Sequence, residues 1–201
     1  MTVFPTDKDI YEYCHERGLR ILCPGAYKHF MEHLRGVPGN YLEIGVFEGA
    51  MLRELAREYP ERMFYGIDPF IEDGNTQGHS LNHGGRGCRL EHERQCALKN
   101  WRGFPNIKLF EMESREFARQ TDDATLSAMG IGAVFIDGSH HYEDVANDFD
   151  LAARALKNGG VIWPDDRGYP GVDKADKEFT DNYSERILQR DVGWPYILKG
   201  Y

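Results

Sequence analysis

The sequence lacks an excess of positive charge. Its 201 residues include 24 Lys and Arg against 33 Asp and Glu, which gives a formal net charge of −9. Non-specific binding to nucleic acid or to an anionic membrane requires a basic surface, so this balance argues against both partners. We expect the partner to be a small molecule.

Long apolar segments and a leader pattern are also missing. No run approaches the ~18 apolar residues of a membrane-spanning helix. Residues 1–9 lack the charged and then apolar pattern of a signal peptide. We expect a cytoplasmic location.

Cysteine is scarce, with four residues and no Cys-x-x-Cys pair. Without a secretory signal, reduced thiols are the ordinary state. One alternative stays open, because Cys88, His92 and Cys96 are spaced four apart and would share one face of a helix. With His79 and His83 just upstream, this face could hold zinc, although the spacing matches no common zinc motif.

A chain of this length, with 41% apolar residues, is large enough for one domain with a full sheet and covering helices. We expect a helical extension over residues 1–36 and the main domain over residues 37–201. The sequence does not reveal the oligomeric state, and a homodimer is compatible with it.

Residues 41–49, Tyr-Leu-Glu-Ile-Gly-Val-Phe-Glu-Gly, predict a strand that enters a glycine turn and then a helix. A dinucleotide-binding turn needs its second glycine two positions after Gly45, where this chain has Phe47. No Gly-Lys-Ser/Thr follows, so a triphosphate-binding loop is also disfavoured. Glu43 suits a cationic ligand, and S-adenosylmethionine, which has an ammonium, a sulfonium and no phosphate, fits this turn.

A second acid follows at a suitable distance. Residues 63–68 predict a buried strand that ends at Asp68, whose carboxylate can accept hydrogen bonds from both ribose hydroxyls. Together, the two elements resemble motif I and the following acidic motif of class I S-adenosylmethionine-dependent methyltransferases. A Rossmann-like domain with another ligand, or a tight turn with no ligand, remain as alternatives.

The rest of the chain alternates predicted helices and strands. A glycine-rich stretch over residues 71–87 is too long for an ordinary connection and is either a mobile lid or disordered. Predicted helices cover 7–17, 25–35, 51–59, 88–101, 114–120, 142–156 and 172–183; further predicted strands cover 107–111, 133–137, 161–164, 186–190 and 196–199.

The terminal pair of strands is similar to the end of the class I methyltransferase sheet. This resemblance, which covers residues 37–201, implies a single Rossmann-like domain. Its sheet would have seven mostly parallel strands with helices on both faces, and its last strand would insert antiparallel.

Three carboxylates end neighbouring predicted strands: Asp137 after strand four, and Asp165 and Asp166 after strand five. Such close carboxylates repel one another unless a cation lies between them. Oxygen-only ligands suit magnesium, or else calcium or manganese. A solvated Asp-Asp turn is the alternative.

The segments Ile-Asp-Gly-Ser-His-His-Tyr-Glu and Gly-Gly-Val-Ile-Trp-Pro-Asp-Asp resemble the macrocin O-methyltransferase group. That resemblance implies that Asp137, Asp165 and Asp166 hold a divalent metal that chelates the acceptor oxygens. Many relatives have Asp-Gly-Asp where this chain has Ser139, which cannot supply the second carboxylate as a base. His140 is therefore the candidate general base, with His141 as a weaker one.

The expected function is methyl transfer from S-adenosylmethionine to a small-molecule hydroxyl, such as that of a sugar, catechol or vicinal diol, with magnesium. Metal-independent N- or carboxyl-methylation and non-catalytic cofactor binding are the alternatives. Cofactor contacts are assigned to Glu43, Gly45 and Gly49 at the methionine end, Asp68 at the ribose, and Glu113 or Ser114 near the adenine. Candidate acceptor contacts are Arg167, Tyr169, His79, His83 and Arg86.

Overall fold

The computed structural model describes residues 34–71, 86–156, 158–190 and 196–200, with the backbone alone for 86–90, 189 and 190. Seven strands lie in this part of the chain: β1 (Asn40–Ile44), β2 (Phe64–Ile67), β3 (Ile107–Phe110), β4 (Ile131–Ile136), β5 (Gly159–Pro164), β6 (Ile187–Arg190) and β7 (Tyr196–Lys199). Its helices are α1 (Ala50–Glu58), α2 (Arg86–Trp101), α3 (Ser114–Gln120), α4 (Asp123–Ala128), α5 (Tyr142–Ala155) and α6 (Pro170–Asn182).

The strands form one sheet in the order β3-β2-β1-β4-β5-β7-β6. Pairing is parallel from β3 through β5, whereas β7 runs antiparallel to both of its neighbours. The expected seven-stranded, mostly parallel sheet with an antiparallel last strand is confirmed. All six residues of β4 are buried, as expected for a central strand that helices cover on both faces.

Two apolar cores lie on opposite faces of the sheet. On one face, Leu52 and Leu55 of α1 and Trp101 of α2 pack with alternate residues of the central strands. On the other face, Phe149 of α5 and Phe179 of α6 pack against the remaining strand residues. The alternation of strand side chains between the two faces produces this three-layer arrangement.

Element boundaries differ from the sequence prediction in a few places. β5 begins at Gly159 rather than at residue 161, because β7 supplies antiparallel partners for Gly159 and Gly160. The short helix α4 was not predicted; the Asp122 side chain caps it by accepting a hydrogen bond from the Thr125 amide at 2.8 Å.

Several predictions lie outside the described residues. These are the helices at 7–17 and most of 25–35, the extension over 1–36, and most of the 71–87 lid. Within the described residues, no helix is both long and apolar enough to cross a membrane.

Arg186 joins the second half of the sheet to helix α5. It is 5% exposed, and its guanidinium donates to the carbonyl oxygens of Ala153 at 3.1 Å, Leu156 at 2.9 Å and Lys199 at 3.3 Å. The two helix carbonyls belong to the last turn of α5, where no intrahelical donor is available. One buried cation therefore satisfies the helix end and holds β7 beside it.

Replacing Arg186 with Met should lower the free energy of unfolding by about 2–4 kcal/mol, because buried carbonyl groups lose charge-assisted hydrogen bonds. Urea unfolding measures this change. The exposed Arg102, replaced in the same way, should change it by less than about 0.5 kcal/mol. Equal small effects at both positions would contradict this role for Arg186.

Candidate functional site

The candidate site lies where the parallel strands end. The Asp137 amide donates to the Ile44 carbonyl at 2.8 Å, and the Asp165 amide donates to the Ile136 carbonyl at 2.8 Å. Backbone pairing therefore continues past β4 and β5 and places both acidic segments beside the turn that follows β1. In open parallel sheets, ligands bind at this edge.

Gly45 and Gly49 are required by close packing inside the protein. Gly45 has φ +86°, and a Cβ there would lie 2.0 Å from the Asp137 carbonyl oxygen. Gly49 has φ +68°, and a Cβ there would lie 2.5 Å from the Trp101 indole nitrogen. The sequence predicted Gly45 as a cofactor contact, whereas in the structure the turn after β4 occupies the space that a Cβ at Gly45 would need.

Asp68 holds the same turn. Its Oδ2 accepts hydrogen bonds from the amides of Val46 at 2.8 Å and Phe47 at 3.1 Å, and its Oδ1 accepts one from the Phe70 amide at 2.7 Å. Burial is the main reason that its pKa is raised, and these three backbone bonds oppose that rise. Asp68 thus shapes the glycine turn, a role that sequence reasoning did not assign.

Glu43 lies within β1 and is 3% exposed. The Tyr41 hydroxyl donates to its Oε2 at 3.4 Å. Burial raises the pKa of Glu43 well above its ordinary value, the Tyr41 bond lowers it, and the nearby Asp68 raises it further. Glu43 therefore places a buried carboxyl group beneath the turn, and a nearby positive charge would favour its ionised form.

A cavity of about 580 Å³ opens at this edge, within the size range of cofactor sites. It brings together most of the predicted site residues: Gly45, Asp68, Glu113, Ser114, Asp137 and His140. Glu43, Gly49, Asp165 and Asp166 are not among the described residues that line it. The glycine turn and the β4 end therefore share one wall.

Asp137, Asp165 and Asp166 influence one another strongly, and we refer to them as the carboxylate cluster. Burial removes Asp137 from water and raises its pKa well above the ordinary value, and the charges of Asp165, Asp166 and Glu43 raise it further. Asp137 also shares a side-chain hydrogen bond with Asp166. Desolvation also raises the pKa of Asp165, although the Asp166 amide bonded to its Oδ1 at 2.9 Å opposes that rise.

His140 faces the carboxylate cluster. Its Nε2 lies 2.6 Å from Oδ2 of Asp166, and its ring stacks on Tyr169 with centroids 4.4 Å apart. Its Nδ1 is buried, so Nε2 is the ring nitrogen directed at the site. Asp166 has φ +56°, a left-handed conformation that is uncommon outside glycine and is frequent at functional sites.

Ser139 supports the loop that carries His140. Its hydroxyl donates to Asp144 Oδ2 at 2.9 Å and accepts from the His141 amide at 3.1 Å. Arg115 pairs with the other Asp144 oxygen at 2.6 Å. These contacts fix the start of α5 beside the cavity.

Arg167 packs away from the position expected for an acceptor contact. It donates to Asp176 at 3.2 Å and lies 5.3 Å from the centroid of the Tyr196 ring. Tyr196 in turn donates to Asp176. Arg167 therefore anchors the segment after Asp166 to α6 and β7. His79, His83 and the Arg86 side chain lie outside the described residues.

Asp148 is a cavity residue that sequence reasoning missed. It is 1% exposed on α5 and accepts hydrogen bonds from Asn147 at 3.3 Å and from the Ser114 hydroxyl. Burial is the main cause that raises its pKa to about 7; Asp144 adds to the rise, and Arg115 opposes it. The available signal was a carboxylate in the apolar phase of helix α5, beside Val145 and Phe149.

The carboxylate cluster offers oxygen donors alone, the ligand type of a hard divalent cation, but its three members do not bring one oxygen each within 4.8 Å of one another in this structure. Desolvation raises the pKa of Asp137 and Asp165, and repulsion from the neighbouring carboxylates raises it further, so a bound cation would favour their ionised forms.

Comparison with known proteins agrees with the fold. A family model described as a methyltransferase domain matches residues 42–167, a span that contains both glycines and the carboxylate cluster. An uncharacterized protein, R132 of Acanthamoeba polyphaga mimivirus, is 28% identical over 131 residues. The match covers 63% of this chain and 50% of that protein, so the chain spans about half the length of the relative.

Two solved structures share the architecture. CalS11, a TDP-rhamnose 3'-O-methyltransferase of calicheamicin biosynthesis, has a TM-score of 0.59 at 18% identity, with 97% of this chain and 87% of that chain covered. MycE, a methyltransferase of the mycinamycin pathway solved with Mg and S-adenosylhomocysteine, has a TM-score of 0.55 at 18% identity, with 98% and 55% covered. These likenesses establish the fold.

Asp148 should make stability depend on pH. The unfolded chain releases this proton near pH 3.8, whereas the folded protein keeps it to about pH 7, so the stabilisation is lost as pH rises through that window. The free energy of unfolding of Asp148→Asn, relative to that of the parent, should therefore increase by up to about 4 kcal/mol as the pH rises from about 4 to about 8. Urea unfolding of the cofactor-free protein measures this difference.

The exposed Asp150, replaced with Asn on the same helix, serves as the control, and its effect should stay within about 0.5 kcal/mol at both pH values. An Asp148→Asn effect that does not change with pH would reject the assignment.

Proposed function

This chain belongs to the methyltransferase domain family, and we propose that it is a class I S-adenosylmethionine-dependent enzyme that methylates a hydroxyl oxygen of a small molecule with the help of a divalent cation, most simply magnesium. The observation that carries this proposal is the position of the carboxylate cluster and His140. Asp137 and His140 line the same cavity as Gly45 and Asp68. A cofactor at the glycine turn and an acceptor at the cluster would therefore be neighbours.

S-adenosylmethionine is suited to this cavity by charge. Its sulfonium and ammonium would approach an edge that holds the carboxyl groups of Glu43, Asp68 and Asp137, and their positive charge would favour the ionised forms. We assign the methionine end to the turn of Gly45 and Gly49, supported from below by Glu43. Glu113 and Ser114 line the cavity after β3 and are assigned to the adenine side.

Asp68 is assigned to the ribose, but with fewer hydrogen bonds than the sequence predicted. Three backbone amides already occupy acceptor positions on its carboxylate, which offers about four in total. One position remains for a hydroxyl while the turn keeps its present form. A single ribose bond, rather than two, is the contact that this geometry supports.

The cluster of Asp137, Asp165 and Asp166 would hold the cation. When bound, a divalent cation supplies charge neutralisation and polarises an acceptor hydroxyl, which lowers the barrier to its deprotonation. In-line displacement at the sulfonium methyl then depends on how closely the chain positions the acceptor oxygen.

His140 is assigned the role of general base for the acceptor hydroxyl. Nε2 faces the cluster while Nδ1 is buried, so Nε2 is the ring nitrogen assigned to accept the hydroxyl proton. To do so it must be unprotonated and released from Asp166 Oδ2, and a cation that occupies this carboxylate would favour that state. The stacked Tyr169 ring restricts rotation of the imidazole, and Ser139 and Arg115 hold the loop below it through Asp144. This arrangement supplies a base without the second aspartate that position 139 lacks.

A metal-independent N- or carboxyl-methyltransferase is the second candidate. It is favoured by the hydrogen bonds that Asp166 makes to His140 and shares with Asp137, since they pair the cluster within the protein itself. A cofactor-binding domain without catalysis would use the cavity in the same way. The cation requirement and turnover on hydroxyl acceptors separate these candidates.

The acceptor class we propose is a sugar, catechol or other vicinal diol, because two adjacent oxygens can bind one cation. CalS11 acts on TDP-rhamnose at a 3' hydroxyl, which is the same chemistry on a comparable fold. We place the protein in the cytoplasm and give it no nucleic-acid or membrane partner, in keeping with its net charge of −9.

Cofactor binding should depend on Asp68. Replacing it with Ala should weaken binding of S-adenosylhomocysteine by about 1–3 kcal/mol, through loss of the ribose bond and loosening of the turn. Calorimetry measures the affinity, and amide exchange at Val46 and Phe47 without ligand reports the turn separately. The exposed Glu61→Ala is the control. If the folded parent does not bind the cofactor, or if it binds a nicotinamide dinucleotide tightly, the assignment of this cavity to S-adenosylmethionine is wrong.

Turnover should require a divalent cation. Asp165→Asn should abolish magnesium-stimulated methylation of a panel of catechols and sugar diols. The affinity for S-adenosylhomocysteine should stay within about twofold of the parent value, because Gly45 and Asp68 follow other strands, β1 and β2. Methylation is followed by radiolabelled methyl transfer with and without chelator. Full activity in excess chelator would favour the metal-independent candidate, and cofactor binding without turnover on any acceptor would favour the non-catalytic one.

His140→Ala should lower turnover by about 10²–10⁴-fold while cofactor affinity is retained. In the parent, activity should fall as the solution becomes acidic, because a protonated imidazole cannot accept a proton. His141→Ala is the comparison variant. If His141→Ala loses activity and His140→Ala does not, the base is His141.

A further inference from the structure

A second cluster of metal-ligating side chains lies on the other side of the glycine turn. Glu48, His92 and Cys96 place a carboxylate oxygen, a ring nitrogen and a sulfur within 4.8 Å of one another. The His92 Nε2 and the Cys96 Sγ are 3.5 Å apart. We propose that these three residues bind one zinc ion, at a site separate from the carboxylate cluster.

Local structure explains how the three residues meet. His92 and Cys96 are one turn apart on α2, so their side chains emerge on the same helix face. Glu48 comes from the turn between β1 and α1, far away in sequence. The zinc alternative drawn from sequence named Cys88 with the same two helix residues; the Cys88 side chain lies outside the described part of the chain, and Glu48 is the third ligand that the fold provides.

The turn and the helix are already joined next to this cluster. The Asn100 side-chain amide donates to the Glu48 carbonyl at 2.7 Å, and the Trp101 indole donates to the Gly49 carbonyl at 3.2 Å. Both donors lie on α2, about one turn beyond Cys96. These bonds keep the Glu48 backbone in place beside the helix, so the three ligand atoms come from a preformed arrangement.

The donor set selects the type of metal. Sulfur, imidazole and one carboxylate are typical zinc ligands, whereas magnesium prefers oxygen alone. Three protein ligands leave one tetrahedral position for water or a further side chain. The carboxylate cluster has the opposite preference, so the two sites should not compete for the same ion.

Two carboxylates are buried at this site, whereas His92 is exposed and Cys96 is half-buried. Glu48 is 8% exposed and Glu93, next to His92, is 6% exposed. Both carboxylates act electrostatically on Cys96, and Lys99 opposes them. A divalent ion would add positive charge beside these two carboxylates at the base of the turn.

Zinc at this position would act on the cofactor turn. Glu48 immediately precedes Gly49, and Glu93 lines the cavity. Occupancy would therefore add a third connection between α2 and the turn, beside those of Asn100 and Trp101.

The test uses cobalt(II) as a spectroscopic substitute for zinc in the full chain. Titration should produce a sulfur-to-cobalt charge-transfer band with one equivalent, and one equivalent of zinc should remove it. Excess magnesium should leave it unchanged. Cys96→Ser should abolish the band, and His92→Ala or Glu48→Gln should weaken cobalt binding by about 10-fold or more. Cys23→Ser is the matched control and should keep the band.

A second measurement needs no variant. Zinc should protect Cys96 of the parent protein from alkylation, as read by peptide mass spectrometry, and a chelator should restore its reactivity. Absence of the charge-transfer band, or a band that survives Cys96→Ser, would overturn the proposal. Equal alkylation of Cys96 with and without zinc would do so as well. None of these readouts depends on methyl transfer, so they remain informative if the proposed activity is wrong.

Discussion

Parallel pairing of β4 with β1 on one side and β5 on the other is the constraint on which the site depends. The pairing continues beyond the strand ends, where the Asp137 amide bonds Ile44 and the Asp165 amide bonds Ile136, each at 2.8 Å. Gly45 must be glycine because the Asp137 backbone occupies the space of a Cβ. The backbone contact between Gly45 and Asp137 therefore brings the glycine turn and the carboxylates together.

Folding brings several carboxyl groups together at this edge, and backbone amides stabilise their charged forms to different extents. Three backbone amides bond Asp68, and one bonds Asp165. Burial raises the pKa of Asp68, Asp165 and Asp137, and the acidic neighbours of Asp137 raise its pKa further. An edge of this kind suits positively charged ligands, which is consistent with a sulfonium cofactor and with the proposed cation. The left-handed backbone at Asp166 and its contact with His140 mark the point where the fold stores strain.

Sequence patterns predicted the sheet and the strand-end acids, because apolar strands followed by acids predict which side chains share an edge. They did not predict that Asp68 would bind the amides of Val46 and Phe47, since those partners depend on the path of a turn. Asp148 was missed because its burial follows from how α5 packs beside Ser114. Glu48 joins His92 and Cys96 only through tertiary packing of two distant segments.

The most direct test of the proposed reaction site is a crystal of the protein grown with S-adenosylhomocysteine and manganese, examined by anomalous scattering. If a cation assists the transfer, the sulfur of the cofactor should lie beside Gly45, and a manganese peak should lie within bonding distance of Asp137, Asp165 and Asp166, adjacent to the His140 ring. An ordered cofactor with no manganese at the carboxylate cluster would contradict the proposed cation-assisted transfer.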